Sequence, residues 1–265
     1  MLSRNQVKYI RSLHLKKYRE IHGEFIAEGS RLVSDLLESG FKVRQILAEE
    51  EWIRDHRDLL AGKTWITITA ITGDEMKKIT LLSSPGPVLA VVSIPGPISP
   101  GTGPEEELIL MLDGIRDPGN FGTILRIADW FGIRQVICSE DCVELYNPKT
   151  VQATMGSLAR VTVWYRDLPG YLSRLKPGVP VYGTFPEGEN IYAKTLKDNG
   201  IVVIGSESAG ISPEVKERIT DRISIPFFAP AGDRKGHAES LNASMAAAIV
   251  CSEFRRRMHF NRTLI

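Results

Sequence analysis

The chain has 265 residues, 43% of them hydrophobic and 25% charged, ordinary fractions for a globular protein with room for one large domain or two modest ones. A formal charge of +1 excludes a global attraction to nucleic acid, so any such function must come from local basic patches. Cys138, Cys142 and Cys251 are too few for a disulfide framework and match no zinc spacing, and charged residues interrupt every early apolar run; a cytoplasmic protein with buried thiols, no metal, no signal peptide and no membrane span is expected.

The chain opens on a basic helical stretch in which Arg4, Lys8, Arg11, Lys16, Lys17, Arg19 and Arg31 outnumber Glu20, Glu24 and Glu28. Its plain alternative is a solvated helix face. A second helix over residues 30–39 and short strands near 43–48, 65–70 and 88–94 make residues 1–94 a small α/β domain. The run from Ser93 to Pro104 alternates Pro and Gly with small residues and can form neither a helix nor a central strand, so 95–104 reads as a linker to a second domain over 105–265.

In that second domain, apolar runs near 108–112, 135–138, 160–164, 180–184, 201–204 and 222–226 alternate with helical stretches, which implies a doubly wound parallel sheet. Residues Leu108 to Leu112 suit a strand buried on both faces. In such sheets ligands bind outside the carboxyl ends of the strands. This strand runs into Asp113-Gly-Ile-Arg-Asp-Pro-Gly-Asn120, a loop rich in backbone donors, and then a helix. Its Phe121, Ile124, Leu125, Ala128 and Phe131 form one apolar face, leaving Arg126 off it beside Asp129 and Trp130. Asn120 as an ordinary N-cap with Arg126 paired to Asp129, or both turned toward a ligand, are equal readings of this segment. Further along, Asn147-Pro148 opens a helix, and Ser212-Pro213-Glu214 supplies a cap, a first-turn proline and an acidic residue.

Two other loops carry unusual polar residues. Gly205-Ser-Glu207-Ser-Ala-Gly210 can bend tightly and bring Glu207 to a ligand, its plain alternative being a solvated turn. The other follows Ile225-Pro226 and ends in Ser240-Leu241-Asn242, where Ser240 reads as the cap of the last helix and Asn242 as a first-turn residue. Leu241, Met245, Ala248 and Ile249 recur at helical spacing and suggest a face packed on the sheet or on a partner subunit. All three loops leave the carboxyl end of a strand, so they should meet on one sheet edge. Dinucleotide, Walker and His-Glu-x-x-His motifs are absent, Ser206 stands where a nucleophile elbow needs glycine, and His237 near Ser240 lacks an orienting acid.

Together, Asp117-Pro-Gly-Asn120-Phe-Gly-x-x-x-Arg126-x-Ala-x-x-Phe-Gly, Gly205-x-Glu207-x-x-Gly210-Ile-Ser, and Ile225-Pro226 with Ser240-Leu241-Asn242 resemble, in order and spacing, the TrmH/SpoU branch of the SPOUT methyltransferases, which methylate ribose 2′-hydroxyls in RNA. Asn147-Pro148-Lys149 to Met155-Gly156 fits as well. Ser3-Arg4-Asn5, Lys8, Leu13, Phe25, Glu28-Gly29 and Arg31 are similar to the substrate-binding domain that often precedes this catalytic domain. The resemblance implies a parallel-sheet α/β domain with a C-terminal trefoil knot, a homodimer, and S-adenosyl-L-methionine held at Thr184, Gly205, Ile225 and Leu241. It implies catalytic roles for Asn120, Arg126, Glu207, Ser240 and Asn242. RNA contacts are expected at Arg4, Lys8, Arg11, Lys16, Lys17 and Arg31, with ribosomal RNA favoured over transfer RNA by analogy.

Two features depart from the family pattern: residues 229–238 lengthen the segment before Ser240, implying an enlarged or mobile cofactor loop, and Ser206 replaces a common Asn. The family assigns proton acceptance to the arginine at 126. A guanidinium with a pKa above about 12 has no acceptor, which favours electrostatic stabilisation by Arg126 instead. Rival readings are a base-nitrogen methyltransferase, a transfer RNA 2′-O-methyltransferase, and a non-catalytic RNA-binding or ribosome-assembly protein on the same fold.

Overall fold

The computed structural model describes residues 1–96, 101–228 and 240–262; residues 97–100 of the expected linker, the 229–238 insertion and His237 lie outside the described residues. The chain divides into two compact units, Met1–Ser99 with Glu144–Arg160, and Pro100–Val143 with Val161–Ile265.

In the first unit, Ser3 caps the helix Arg4–Ser12 in a capping box with Gln6, and the helices Lys16–His22 and Ser30–Glu38 follow. Four strands, β1 (Glu24–Glu28), β2 (Val43–Ala48), β3 (Thr67–Ala70) and β4 (Val88–Ser93), form a sheet in the order β1-β4-β2-β3. Only the β2–β3 pair is parallel. Strand β1 was unexpected, because its terminal glutamates disguise it as part of the charged stretch. Glu28 is in fact buried, its carboxylate accepting from the Thr80 hydroxyl and the Leu81 amide.

Arg19 likewise does not join the basic surface. It is 3% exposed, donates to the Leu13 carbonyl at 2.8 Å and pairs with Glu144 at 2.5 Å. Glu144 begins the segment that returns to this unit from the middle of the chain. There Asn147 caps the helix Pro148–Thr154, and Tyr146 lies against the Phe25 ring at 4.7 Å. At Gly156, where φ is +92°, a Cβ would strike the Asp35 carboxylate, so glycine is required both by the turn and by the close approach.

The second unit holds six parallel strands: β5 (Leu108–Asp113), β6 (Gln135–Cys138), β7 (Thr162–Tyr165), β8 (Val181–Asn190), β9 (Gly200–Gly205) and β10 (Asp221–Ser224). Their order is β10-β8-β9-β5-β6-β7. Every residue of β5 and β6 is buried, as a strand covered on both faces requires. Ile109 and Met111 face a cluster completed by Leu168, Leu172 and Val215. Alternation turns Leu108, Leu110 and Leu112 to the opposite face. On that face the helices Pro118–Trp130 and Ala243–Arg262 pack on each other, and Phe254 meets Tyr182 edge to face at 5.0 Å.

The chain runs outward from β5 through β6 to β7, then returns on the other side of β5 with β8 and β9. This reversal opens a crevice at the carboxyl ends of β5 and β9. Strand β8 adds a second irregularity. Gly183 pairs with Arg222 and Glu189 with the next residue, Ile223, so residues 184–188 leave the ladder as a wide bulge.

All three cysteines are buried thiols. Burial pushes Cys251 up to about 12, whereas hydrogen bonds from Cys138 and Ser139 hold Cys142 at about 7. Among the described residues no helix is long and apolar enough to cross a membrane, and no group of three or more His, Cys, Asp or Glu could hold a metal ion.

Removing the partner of a buried guanidinium leaves a charge without compensation. Glu144→Ala is expected to cost about 3 kcal/mol. Urea unfolding should show a lower midpoint at unchanged slope; a shift below about 1 kcal/mol would mean that water or another carboxylate replaces Glu144.

Candidate active site

The site is built on the reversal beside β5. Strand β5 ends at Asp113, which is buried, and its Oδ2 accepts both the amide and the hydroxyl of Ser212 at 2.7 Å. Ser212 therefore occupies the N-cap position of the helix Pro213–Lys216 without capping it through its side chain; the hydroxyl instead ties the end of β5 to the loop after β9. The helix Pro118–Trp130 is capped by Asp117, whose Oδ1 accepts the Asn120 amide at 2.7 Å, with Pro118 in its first turn. Asn120 is thus not the cap. It sits one residue turn inside the helix with its side chain available for other contacts.

That side chain donates through Nδ2 to Glu207 Oε1 at 3.1 Å. Glu207 rides on a closed loop in which Ser206 and Gly210 exchange backbone hydrogen bonds of 3.1 and 2.8 Å. The closure requires glycine, since a Cβ on Gly205 would collide with the Gly210 carbonyl and Gly210 itself has φ +68°. Glu207 Oε1 also accepts from Asn242 Nδ2 at 2.6 Å and from the Ala243 amide at 3.1 Å. Glu207 is exposed, yet three donors converge on this one oxygen.

Asn242 completes the junction. Its Oδ1 accepts the Ser244 amide and hydroxyl at 2.9 and 2.6 Å and the Met245 amide at 3.3 Å, so Asn242, rather than Ser240, caps the final helix. Its Nδ2 reaches Asn120 Oδ1 at 2.9 Å in addition to Glu207. The carboxylate lies at the first turn of the helix Ala243–Arg262, where the helix dipole favours negative charge.

Two cavities adjoin this junction. The larger, about 670 Å³, is lined by Thr184, Gly205, Ile225, Leu241 and Ser240, among others. The smaller, about 280 Å³, is lined by Asp113 to Asp117, Asn120, Asp141, Ser212 and the loop from Ser206 to Gly210. Ser206, Glu207, Gly210 and Ala243 line both, so the junction is their common wall. The residues expected to hold the cofactor line the larger cavity together, beside Phe227 and Phe228, which sequence reasoning missed.

Arg126 lines neither cavity. It is exposed and makes no hydrogen bond or ion pair with another described residue. Of the two expectations for the apolar stripe on the last helix, packing on the sheet does not hold for Leu241 and Met245. Ala243, Ala247, Val250, Cys251 and Phe254 form the packed face, whereas Leu241 and Met245 are 49% and 60% exposed. In the first unit Arg4, Lys8, Arg11, Lys16, Lys17 and Arg31 are all exposed.

A parallel sheet with a strand-order reversal, and two cavities meeting there at a hydrogen-bonded junction, define an α/β protein with a ligand crevice at the carboxyl ends of its strands. The family model described as SpoU rRNA methylase matches residues 107–252, and that of the MRM3-like substrate binding domain matches residues 4–90. The chain belongs to the SpoU rRNA methylase family. It is 32% identical over 261 residues to the 23S rRNA (guanosine(2553)-2′-O)-methyltransferase RlmP of Bacillus subtilis, covering 96% of this chain and 97% of that one. A TrmH-family protein from Porphyromonas gingivalis superposes with a TM-score of 0.84 at 39% identity, over 97% of this chain and 99% of that one. The SpoU methyltransferase AviRb from Streptomyces viridochromogenes, solved in complex with AdoMet, gives a TM-score of 0.81 at 25% identity over 97% and 98% of the two chains.

Asn242 joins helix capping to the carboxylate junction, and two variants separate these roles. Asn242→Ala is expected to lower stability by about 1–2 kcal/mol, the range for a lost cap. Asn242→Asp retains the Oδ1 acceptor but sets a second carboxylate against Glu207, raising the pKa of the pair above its unfolded value. Its stability should be fully present at low pH and lost as pH rises through that raised pKa. Urea midpoints measured between about pH 4 and about pH 8 check this, and parallel pH profiles for parent and Asp variant would contradict it.

Proposed function

We propose that this chain transfers the methyl group of S-adenosyl-L-methionine to a ribose 2′-hydroxyl in ribosomal RNA, acting in the cytoplasm as a homodimer whose C-terminal segment is threaded as a trefoil knot. The observation that carries the reading is the wall shared by the two cavities, with Glu207 lining both. The larger cavity has the size of a small-molecule site and fits this cofactor by its chemistry. Ile204, Ile223, Leu241 and Val250 offer aliphatic faces to an adenine, while Thr184, Glu187 and the strand-end backbone offer polar partners to a ribose and an ammonium group. When bound, the cofactor supplies an electrophilic methyl on a sulfonium.

The protein's own contribution is positioning and charge. In-line placement of the ribose oxygen supplies much of the rate. The hydrogen bonds among Asn120, Glu207 and Asn242 hold that wall rigid. Glu207 Oε2, which accepts no bond from a described residue, is the acceptor on the wall for the hydroxyl proton. Arg126 remains protonated and stabilises the alkoxide that develops as the proton leaves.

Arg126 lies six residues beyond Asn120 on one helix, a rise of about 9 Å and a rotation of about 240°, so the two do not share a face. A second copy that brings its Arg126 to the junction resolves this separation. The exposed Leu241, Met245 and Trp130 supply apolar surface for such a partner. RNA affinity then comes from the exposed basic residues of the first unit through phosphate contacts.

Arg126→Ala should abolish turnover while leaving cofactor affinity within a few-fold, measured by calorimetry beside a methyl-transfer assay; near-normal turnover would remove Arg126 from the mechanism. Replacing Arg4, Lys8 and Arg11 with alanine should weaken RNA binding and flatten the slope of log K against log salt by about 2–3. An unchanged slope would mean that other residues carry the phosphate contacts.

A further inference from the structure

We propose that Arg116 and Asp141 read the base of the target nucleotide and select guanine. This rests on the ribose-methylation reading above and adds the identity of the nucleotide to it.

The smaller cavity is the one left for substrate once the larger holds the cofactor, and its mouth is unusual in charge. Among the described residues, Asp113, Asp117, Asp141 and Glu207 line it against Arg116 alone. A wall of this kind repels phosphate and accepts a nucleoside presented by its hydrogen-bond donors. Three of the carboxylates are already engaged, Asp113 with Ser212, Asp117 with the Asn120 amide, and Glu207 with the junction. Asp141 is the one of the four that lies against Arg116, so acceptors and donors stand together there.

Asp141 is held in place from two directions. The Gly114 amide donates to Ser139 Oγ at 2.9 Å, and that hydroxyl donates to Asp141 Oδ1 at 2.7 Å. Arg116 Nη2 donates to Asp141 Oδ2 at 2.7 Å. The Ser139 hydroxyl and the Arg116 guanidinium hold the Asp141 carboxyl below the usual range, so it is ionised at neutral pH. A Cβ on Gly114 would sit 3.7 Å from Asp141 Oδ2 and 3.7 Å from Ser206 Cβ, which places the carboxylate and the Glu207 loop on either side of one glycine.

An ionised carboxylate has about four lone-pair sites, and two are used here. The guanidinium likewise retains N–H donors beyond the one given to Asp141. Side by side, the pair presents two acceptors and a donor. The Watson–Crick edge of guanine carries the complement: adjacent N1–H and N2–H donors, then the O6 acceptor. Uracil, cytosine and adenine lack two neighbouring donor atoms on that edge. Reading an unstacked base on this edge is a usual mode of RNA recognition.

The test incubates the purified protein with labelled S-adenosyl-L-methionine and ribosomal RNA from cells lacking it, then digests the RNA to nucleosides. 2′-O-methylguanosine is the expected product. A 2′-O-methylated uridine, cytidine or adenosine overturns the guanine assignment and leaves the functional reading standing, whereas no ribose methylation overturns both. On a synthetic fragment of the mapped site, Asp141→Asn should lower kcat/KM about ten- to hundredfold with cofactor affinity unchanged. Inosine in place of the target guanosine, which lacks the N2 amine, should lower the parent protein's rate similarly and should add little to the Asp141→Asn defect. Equal rates on guanosine and inosine fragments would overturn the assignment even if the variant fails to fold.

Discussion

One carboxylate oxygen holds the site together. Glu207 Oε1 accepts from Asn120, Asn242 and the Ala243 amide, groups carried by segments that leave β5 and precede the final helix, while Glu207 itself follows β9. Among the described residues no cation is involved. Because amides and a helix N-terminus satisfy the charge, the junction is directional: each donor points at a single atom, and moving any of the three segments breaks a bond to it. The same economy leaves Arg126 without a partner among the described residues, and therefore available to charge that develops elsewhere. A salt bridge at this point would have spent that cation on the carboxylate.

The sheet explains why three distant segments can meet. With β9 laid against β5 on the side away from β6, successive crossovers diverge and leave a gap at the carboxyl ends. Asp113 and Ser212 bolt the two sides of that gap together beneath the junction. The bulge at residues 184–188 and the tight Ser206–Gly210 loop then shape the walls of the larger cavity, one by excess chain and the other by glycine closure. The two cavities thereby meet at one edge, formed by Ser206, Glu207, Gly210 and Ala243; an in-line transfer between them needs the reacting atoms in direct contact past that edge.

Much of this was legible from local pattern. The continuous apolar run at 108–112 marked a doubly covered strand, and the three polar loops could be placed on one edge because each follows such a strand. What escaped was decided through space. Asp117 and Asn120 are both acceptable caps, and proline at 118 shifts the choice to Asp117. The helix Pro148–Thr154 lies in sequence between β6 and β7, yet it belongs to the first unit because Glu144 neutralises Arg19 and Tyr146 meets Phe25, contacts that no periodicity encodes. Leu241 and Met245 obey helical spacing but stand on the exposed side of their helix, since amphipathic spacing identifies a stripe without naming what covers it. Strand β1 was hidden because burial of Glu28 depends on Thr80 and Leu81, more than fifty residues away.

The account stands on the claim that the shared wall directs a methyl group onto a ribose oxygen. Alkaline hydrolysis of ribosomal RNA labelled by the purified protein tests it most directly, because a 2′-O-methyl group removes the hydroxyl that attacks the neighbouring phosphate. The account predicts that the label appears in an alkali-stable dinucleotide. Label recovered in mononucleotides would place the methyl group on a base and contradict it.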